Sequence, residues 1–113
     1  MNNDFVTNDF VTITETICDN AKLSKCGNVV TLYLDNVHSG TLMGKVIPEK
    51  YRPNNRATGF IRLTNGNTHM FGNIFLETDG KIKGSYMSSY GTASSDLSTD
   101  SESHIWGSVS WVI

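Results

Sequence analysis

Three histidines, two cysteines and eleven acidic side chains are the groups in this 113-residue chain able to attack, move a proton or hold a metal. Hydrolytic chemistry needs a positioned base, a nucleophile and a stabiliser of developing charge. His38, His69 and His104 lie in separate segments, with no Gly-x-Ser-x-Gly elbow and no His-Glu-x-x-His helix beside them. Cys18 and Cys26 are eight residues apart and have no neighbouring His pair, so they do not make a zinc site. Neither precedes a motif that activates a thiolate. The two could face each other across a hairpin, but two partly buried thiols are the expected state of a protein assembled inside a cell. Asp35, Asp79, Asp96 and Asp100 stand in turn-forming surroundings, which accounts for them without catalysis. A glycosidase pairs its carboxylates in space, so spacing does not exclude one, but nothing in it favours one. The expectation is a non-enzyme with no catalytic residue, metal or cofactor.

Binding asks for less: exposed aromatic and polar groups on a stiff frame. In the last predicted strand Ile105, Val109, Trp111 and Ile113 share one face, and Trp106, Ser108 and Ser110 share the other. The first set reads as core. Trp106 is left pointing outward, where a flat ring can stack on the C–H face of a sugar. Tyr86, Tyr90, His104 and Arg62 are the candidates for further stacking and hydrogen bonding. The competing reading of Trp106 is a ring covered by a loop or a neighbouring subunit. His69, near Phe71 and Phe75, reads as a structural histidine.

The elements that must position these residues are strands. Val11–Ile17 alternates, with Val11, Ile13 and Ile17 on one face. Asn28–Asn36 places Val30, Leu32 and Leu34 opposite Thr31 and Tyr33, and Leu42–Ile47 reads as a third strand stopped by Pro48. Gly59–Thr64, Thr68–Thr78, Lys81–Tyr86 and His104–Ile113 follow. Asn65-Gly66 and Asp79-Gly80 fall between apolar or β-branched runs and predict a meander of three antiparallel strands. Met87–Ser103, with seven serines in seventeen residues, reads as a long exposed loop. No helical period persists over three turns. The expected fold is all-β, a small antiparallel β-sandwich or barrel. Residues 3–12 repeat Asn-Asp-Phe-Val-Thr twice, a period of no known solenoid. Residues 1–26 therefore read as an N-terminal arm or neck remnant plus the first strand, and 27–113 as a β head domain.

Composition narrows the partners. Net charge is −2 and the nine basic residues are scattered singly, which gives no stripe for nucleic acid. No apolar run approaches the roughly 20 residues of a membrane span. Met1-Asn2-Asn3-Asp4-Phe5 has neither the basic nor the apolar region of a secretion signal. Only 18% of residues are charged, and Ser, Thr, Asn and Gly take their place. That balance fits extracellular or virion β-proteins better than cytosolic helical enzymes.

The middle of the chain carries a resemblance. Ile47-Pro48-Glu49-Lys50-Tyr51-Arg52-Pro53-Asn54-Asn55-Arg56 is followed by Gly59-Phe60-Ile61. A hairpin then runs through Asn73-Ile74-Phe75-Leu76-Glu77-Thr78-Asp79-Gly80-Lys81-Ile82, and Ser110-Trp111-Val112-Ile113 closes the chain. Over residues 27–113 this order resembles the C-terminal head domains of tail-fibre and baseplate receptor-binding proteins of siphophages that infect Gram-positive bacteria, lactococcal ones included. The resemblance implies a jelly-roll-like head, assembled as a homotrimer at the phage tail tip or baseplate of the virion. Its partners would be other tail proteins and a host cell-wall polysaccharide or other surface glycan, without nucleic acid or membrane. Pro48 and Pro53 fix φ and hold the residues before them extended, so Tyr51 is placed to pin a rigid loop to the barrel. Site residues vary widely in that family, and none transfers by motif. The alternative is a structural tail protein, a cap or connector whose aromatic patches face other subunits.

Overall fold

The computed structural model describes residues 12–87 and 94–113. The fold is all-β and antiparallel. Strands β1 (Thr12–Cys18), β2 (Ala21–Cys26) and β3 (Val29–His38) form one meander, and β4 (Ala57–Asn65), β5 (Thr68–Leu76), β6 (Ile82–Met87) and β7 (Ser94–Asp96) form another. The last strand, β8 (His104–Val112), joins them, so one eight-stranded sheet runs β1-β2-β3-β8-β4-β5-β6-β7. Between β3 and β4 lie a short helix, α1 (Ser39–Met43), and a single 3-10 turn, Glu49–Tyr51.

Tight turns set the register. Cys18 pairs with Ala21, Cys26 with Val29 and Asn65 with Thr68, which leaves two-residue turns at Asp19-Asn20, Gly27-Asn28 and Gly66-Asn67. Asn20, Gly27 and Gly66 take φ of 68°, 62° and 61°, a region open to Gly and tolerated by Asn. Every one-residue slip would turn a buried face outward, so these turns and the apolar alternation agree.

The inward faces make one core. Leu23, Val30, Leu32, Leu63, Ile74, Leu76, Ile105 and Val109 are buried, and Leu42 and Ile47 from the β3–β4 connection close over them. The sheet coils around this core, since α1 touches β1, β3 and β6 at once. Strand backbones approach closely where it bends. A Cβ on Gly59 would lie 2.3 Å from the Ser108 carbonyl oxygen, and one on Gly72 would lie 2.1 Å from that of Ser85.

The Pro48–Pro53 loop is fastened from both sides. Trp111 Nε1 donates to the Tyr51 carbonyl at 2.6 Å, and the Tyr51 hydroxyl donates to Glu15 on β1 at 3.1 Å. Tyr51 is buried, as its expected pinning role requires.

Three expectations are corrected. Leu42–Ile47 is not a strand: α1 occupies Ser39–Met43, and Val46 makes only an isolated bridge to Lys81. His38 caps that helix by accepting from the Thr41 N–H at 3.1 Å, while Ser39 and Gly40 donate to the carbonyls of Ser103 and Ser101. A short apolar run does not distinguish these outcomes by periodicity. Second, β2 lies before the boundary placed at residue 27, yet Ala21 and Leu23 are core and β2 pairs along its length with β3. No disulfide spans the β1–β2 hairpin, in keeping with the thiols expected there. Cys18 is beside the turn and Cys26 opposite Thr12 at the far end, and Cys26 is exposed. Third, the described part of the Ser-rich stretch is built into the fold. β7 pairs with β6, Leu97 is buried, and Ser103 is buried against Ser39.

Candidate functional site

The alternation that buries Ile61, Leu63, Ile105 and Val109 puts their neighbours on the outer face of the four central strands. Register aligns these neighbours into rows. Asp35 (β3) is opposite Trp106 (β8), Trp106 is opposite Arg62 (β4), and Arg62 is opposite Phe71 (β5). The next row is His38, His104, Thr64 and His69. Three histidines that sequence places in separate segments thus sit in one line across the sheet.

Arg62 and Trp106 form the centre of the face. The guanidinium carbon lies over the indole ring, 4.7 Å from its centroid, a cation–π contact beside a half-buried ring. Around them Phe60 is 84% exposed, Phe71 71% and Tyr33 53%. Such exposure of Phe is costly in water, roughly 1.5–3 kcal/mol for each ring that could be buried instead. A second stack on the same face puts Arg56 5.3 Å above the Phe75 ring.

His104 lies beside this centre. Its ring meets His38 edge-on at a centroid distance of 5.8 Å. His38 Nδ1 accepts from the Thr41 N–H and lies 2.9 Å from the Thr41 hydroxyl, so Nε2 carries the proton and faces Glu102 Oε2 at 3.3 Å. The two imidazoles border a polar cleft of about 290 Å³ with Asp19, Asn20, Asn36 and Thr41. His38 is therefore committed to the helix cap and the loop carboxylate.

Of the residues expected at the site, Trp106 and Arg62 are in direct contact and His104 is one row away on the same face. Tyr86 is not with them. Its ring shares the inward side with Ile82 and Gly84 and packs half-buried against the core, because Tyr86 pairs with Gly72 at an inward position. Tyr90 lies outside the described residues. His69, read from sequence as a structural histidine, is exposed on the outer face. Phe60, Phe71 and Tyr33 were missed, although the parity that turns Trp106 outward applies equally to them in β4, β5 and β3.

The arrangement is suited to contact. It offers flat rings, one stacked cation whose donors meet no acceptor among the described residues, and imidazoles at the margin. Among the described residues no group of three or more His, Cys, Asp or Glu is placed to hold a metal ion. Comparison with protein-family models, with curated proteins and with solved structures gave no match, so the functional reading rests on this geometry and the sequence pattern.

Proposed function

We propose that the chain is a non-catalytic recognition module that binds a host cell-surface saccharide through the outer face of β3, β8, β4 and β5, as the adhesion head of a phage tail. The observation that carries this reading is the Arg62–Trp106 stack, flanked by exposed Phe71 and Phe60. Sugars present apolar C–H faces bordered by hydroxyls. An aromatic floor beside an Arg fork and a row of imidazoles offers stacking and hydrogen bonding together. The residues that resemble phage receptor-binding heads supply the setting: a virion tail tip, a homotrimer and other tail proteins as neighbours. Weak single sites gain strength there because tethering makes later contacts intramolecular.

Binding of the isolated chain to a glycan array and to host cell-wall polysaccharide tests it, with Trp106→Ala and Phe71→Ala as variants. The expected result is saturable binding that both variants weaken by tenfold or more, about 1.4 kcal/mol. No binding by the wild-type chain at millimolar site concentration sinks the reading.

One observation favours the structural alternative, a tail cap or connector without a ligand. Phe60 at 84% exposure is more apolar surface than a sugar needs, and a neighbouring subunit would cover it. Sedimentation separates the two. An assembly that Phe60→Ser dissociates, in a chain that binds no glycan, would make the aromatic face a subunit contact.

A further inference from the structure

The chain carries a second place where side chains converge, at the β6 edge of the sheet, where Lys83 stands opposite Phe75 and remote in the strand order from Trp106 on β8. A cleft of about 410 Å³ opens between the end of α1, β6 and the segment after β7. Lys45, Lys81, Lys83, Ser98 and Thr99 line it, together with apolar Ile82 and Leu97.

The fold draws these residues together from distant sequence. Lys45 follows the α1 cap, where its backbone N–H donates to the Leu42 carbonyl at 3.0 Å. The Val46–Lys81 bridge and the Ile47 N–H to Gly80 carbonyl bond, 2.8 Å, bring that turn beside β6. Lys81 and Lys83 are two apart at the start of β6 and so lie on one side of it. The Leu97 N–H donates to the Gly84 carbonyl at 2.8 Å, which fixes Leu97 at the cleft. Ser98 is held there too, its N–H donating to Ser101 Oγ at 2.9 Å.

Charge is the telling quantity. The whole chain is net negative, yet three of its nine basic residues meet at this one cleft. Lys81 has only a loose partner in Asp79, at 3.9 Å between exposed groups. The side-chain ammonium groups of Lys45 and Lys83 make no hydrogen bond or ion pair with any described residue. Asp79 offsets one of the three charges and two remain. Like charges gathered this way repel and oppose folding unless something answers them. A single carboxylate answers one. A dianion with several acceptor oxygens answers both and can also take hydrogen bonds from the two lining hydroxyls.

We propose that this cleft is an anion site for a phosphate group, carried on a ligand whose body rests on the apolar lining. A sugar phosphate fits that description, either as a free monoester or as a phosphate substituent of a glycan. The site does not use the Arg62–Trp106 stack, and its occupancy is independent of Trp106.

Amide NMR titration of the full chain tests it, with inorganic phosphate, glucose 1-phosphate, glucose and sodium sulfate at matched ionic strength. The expected result is saturable shifts at Gly44–Val46 and Lys81–Lys83 with both phosphates, tighter with glucose 1-phosphate, and none with glucose. K45Q/K83Q should weaken binding about tenfold, since exposed charge pairs each contribute modestly. Trp106→Ala should leave the titration unchanged. To distinguish the two sources, a phosphate-substituted glycan is compared with its dephosphorylated form: a difference at the same amides identifies the polymer, and equal binding leaves the free monoester. Absence of saturable shifts, equal effects of sulfate, or an unaltered affinity in K45Q/K83Q would overturn the proposal.

Discussion

The Arg62 guanidinium lies 4.7 Å from the Trp106 ring centroid because β4 pairs with β8 in the register that sets the two residues directly opposite. The stack is partly exposed, so its contribution to stability is expected to be about 0.5–1 kcal/mol. Its larger effect is on orientation: the ring is shielded on one side. Arg62→Ala should raise acrylamide quenching of Trp106 fluorescence while shifting the unfolding free energy by no more than that amount. A loss of several kcal/mol would mean that the pair holds the sheet together, not that it presents a surface.

Trp111, five residues on, should behave in the opposite way. It is buried, and its Nε1 satisfies the Tyr51 carbonyl at 2.6 Å. Trp111→Phe keeps much of the ring but strands that carbonyl, at a cost of about 1–3 kcal/mol. Urea unfolding should show the loss, and the Pro48–Pro53 loop should become more open to proteolysis. Trp111→Ala should cost about 3–5 kcal/mol.

These two tryptophans mark what the sequence could and could not reveal. Parity in β8 separated Trp106 from Trp111 correctly, since one strand's alternation is a local property. Parity also turned Tyr33, Phe60 and Phe71 outward, but a strand read alone does not say which other strands lie beside it. The β3-β8-β4 order places the chain's last strand between two earlier ones, and no local signal encodes that insertion. The Arg62–Trp106 contact and the His38–His104 pair both depend on it. β2 was hidden for a different reason: Lys22, Ser24 and Lys25 outnumber Ala21 and Leu23 in the segment, so the strand is revealed only by its pairing with β3. Tyr86 looked like a site residue because aromatic type was used there without parity; in β6 it is in step with buried Ile82.

Gly72 should be nearly irreplaceable. It pairs with Tyr86, and an added Cβ would stand 2.1 Å from the Ser85 carbonyl oxygen, closer than any real contact. The obstacle is backbone and not a flexible side chain, so β5 and β6 would have to part. Gly72→Ala is expected to lose several kcal/mol, at the upper end for single substitutions, or to fail to accumulate as folded protein. Gly66→Ala is the control. It meets nothing within 4 Å, though its φ of 61° carries a cost of about 1 kcal/mol. Circular dichroism melts of the two variants should rank them in that order.

The cysteines should differ in reactivity. Burial pushes the Cys18 thiol above the usual range; Lys45 opposes this and Asp19 adds to it. Cys26 is exposed at the far end of the hairpin. Iodoacetamide at pH 8 should label Cys26 well before Cys18, because the thiolate is the nucleophile. The sign for stability follows. Folded Cys18 keeps its proton in a pH window where the unfolded chain has lost it, so its contribution is intact below the usual thiol range. It falls as pH rises through that range towards the folded value. The urea midpoint of wild type minus that of Cys18→Ala should therefore decline between pH 8 and 10.

The join between α1 and the strap before β8 rests on a buried pair of hydroxyls. Ser39 Oγ and Ser103 Oγ are 2.8 Å apart, and their residues are 0% and 6% exposed. The same two residues are linked through the backbone, where the Ser39 N–H donates to the Ser103 carbonyl at 2.9 Å. Removing one hydroxyl leaves the other buried without its partner, so Ser39→Ala and Ser103→Ala should each cost about 1–3 kcal/mol. Removing both leaves an apolar contact of nearly the same shape, and the double variant should be less destabilised than the singles together. The coupling from such a cycle is expected to be about 0.5–3 kcal/mol. Additive losses would show that the two hydroxyls are satisfied independently and that the backbone bond alone ties the strap to the helix.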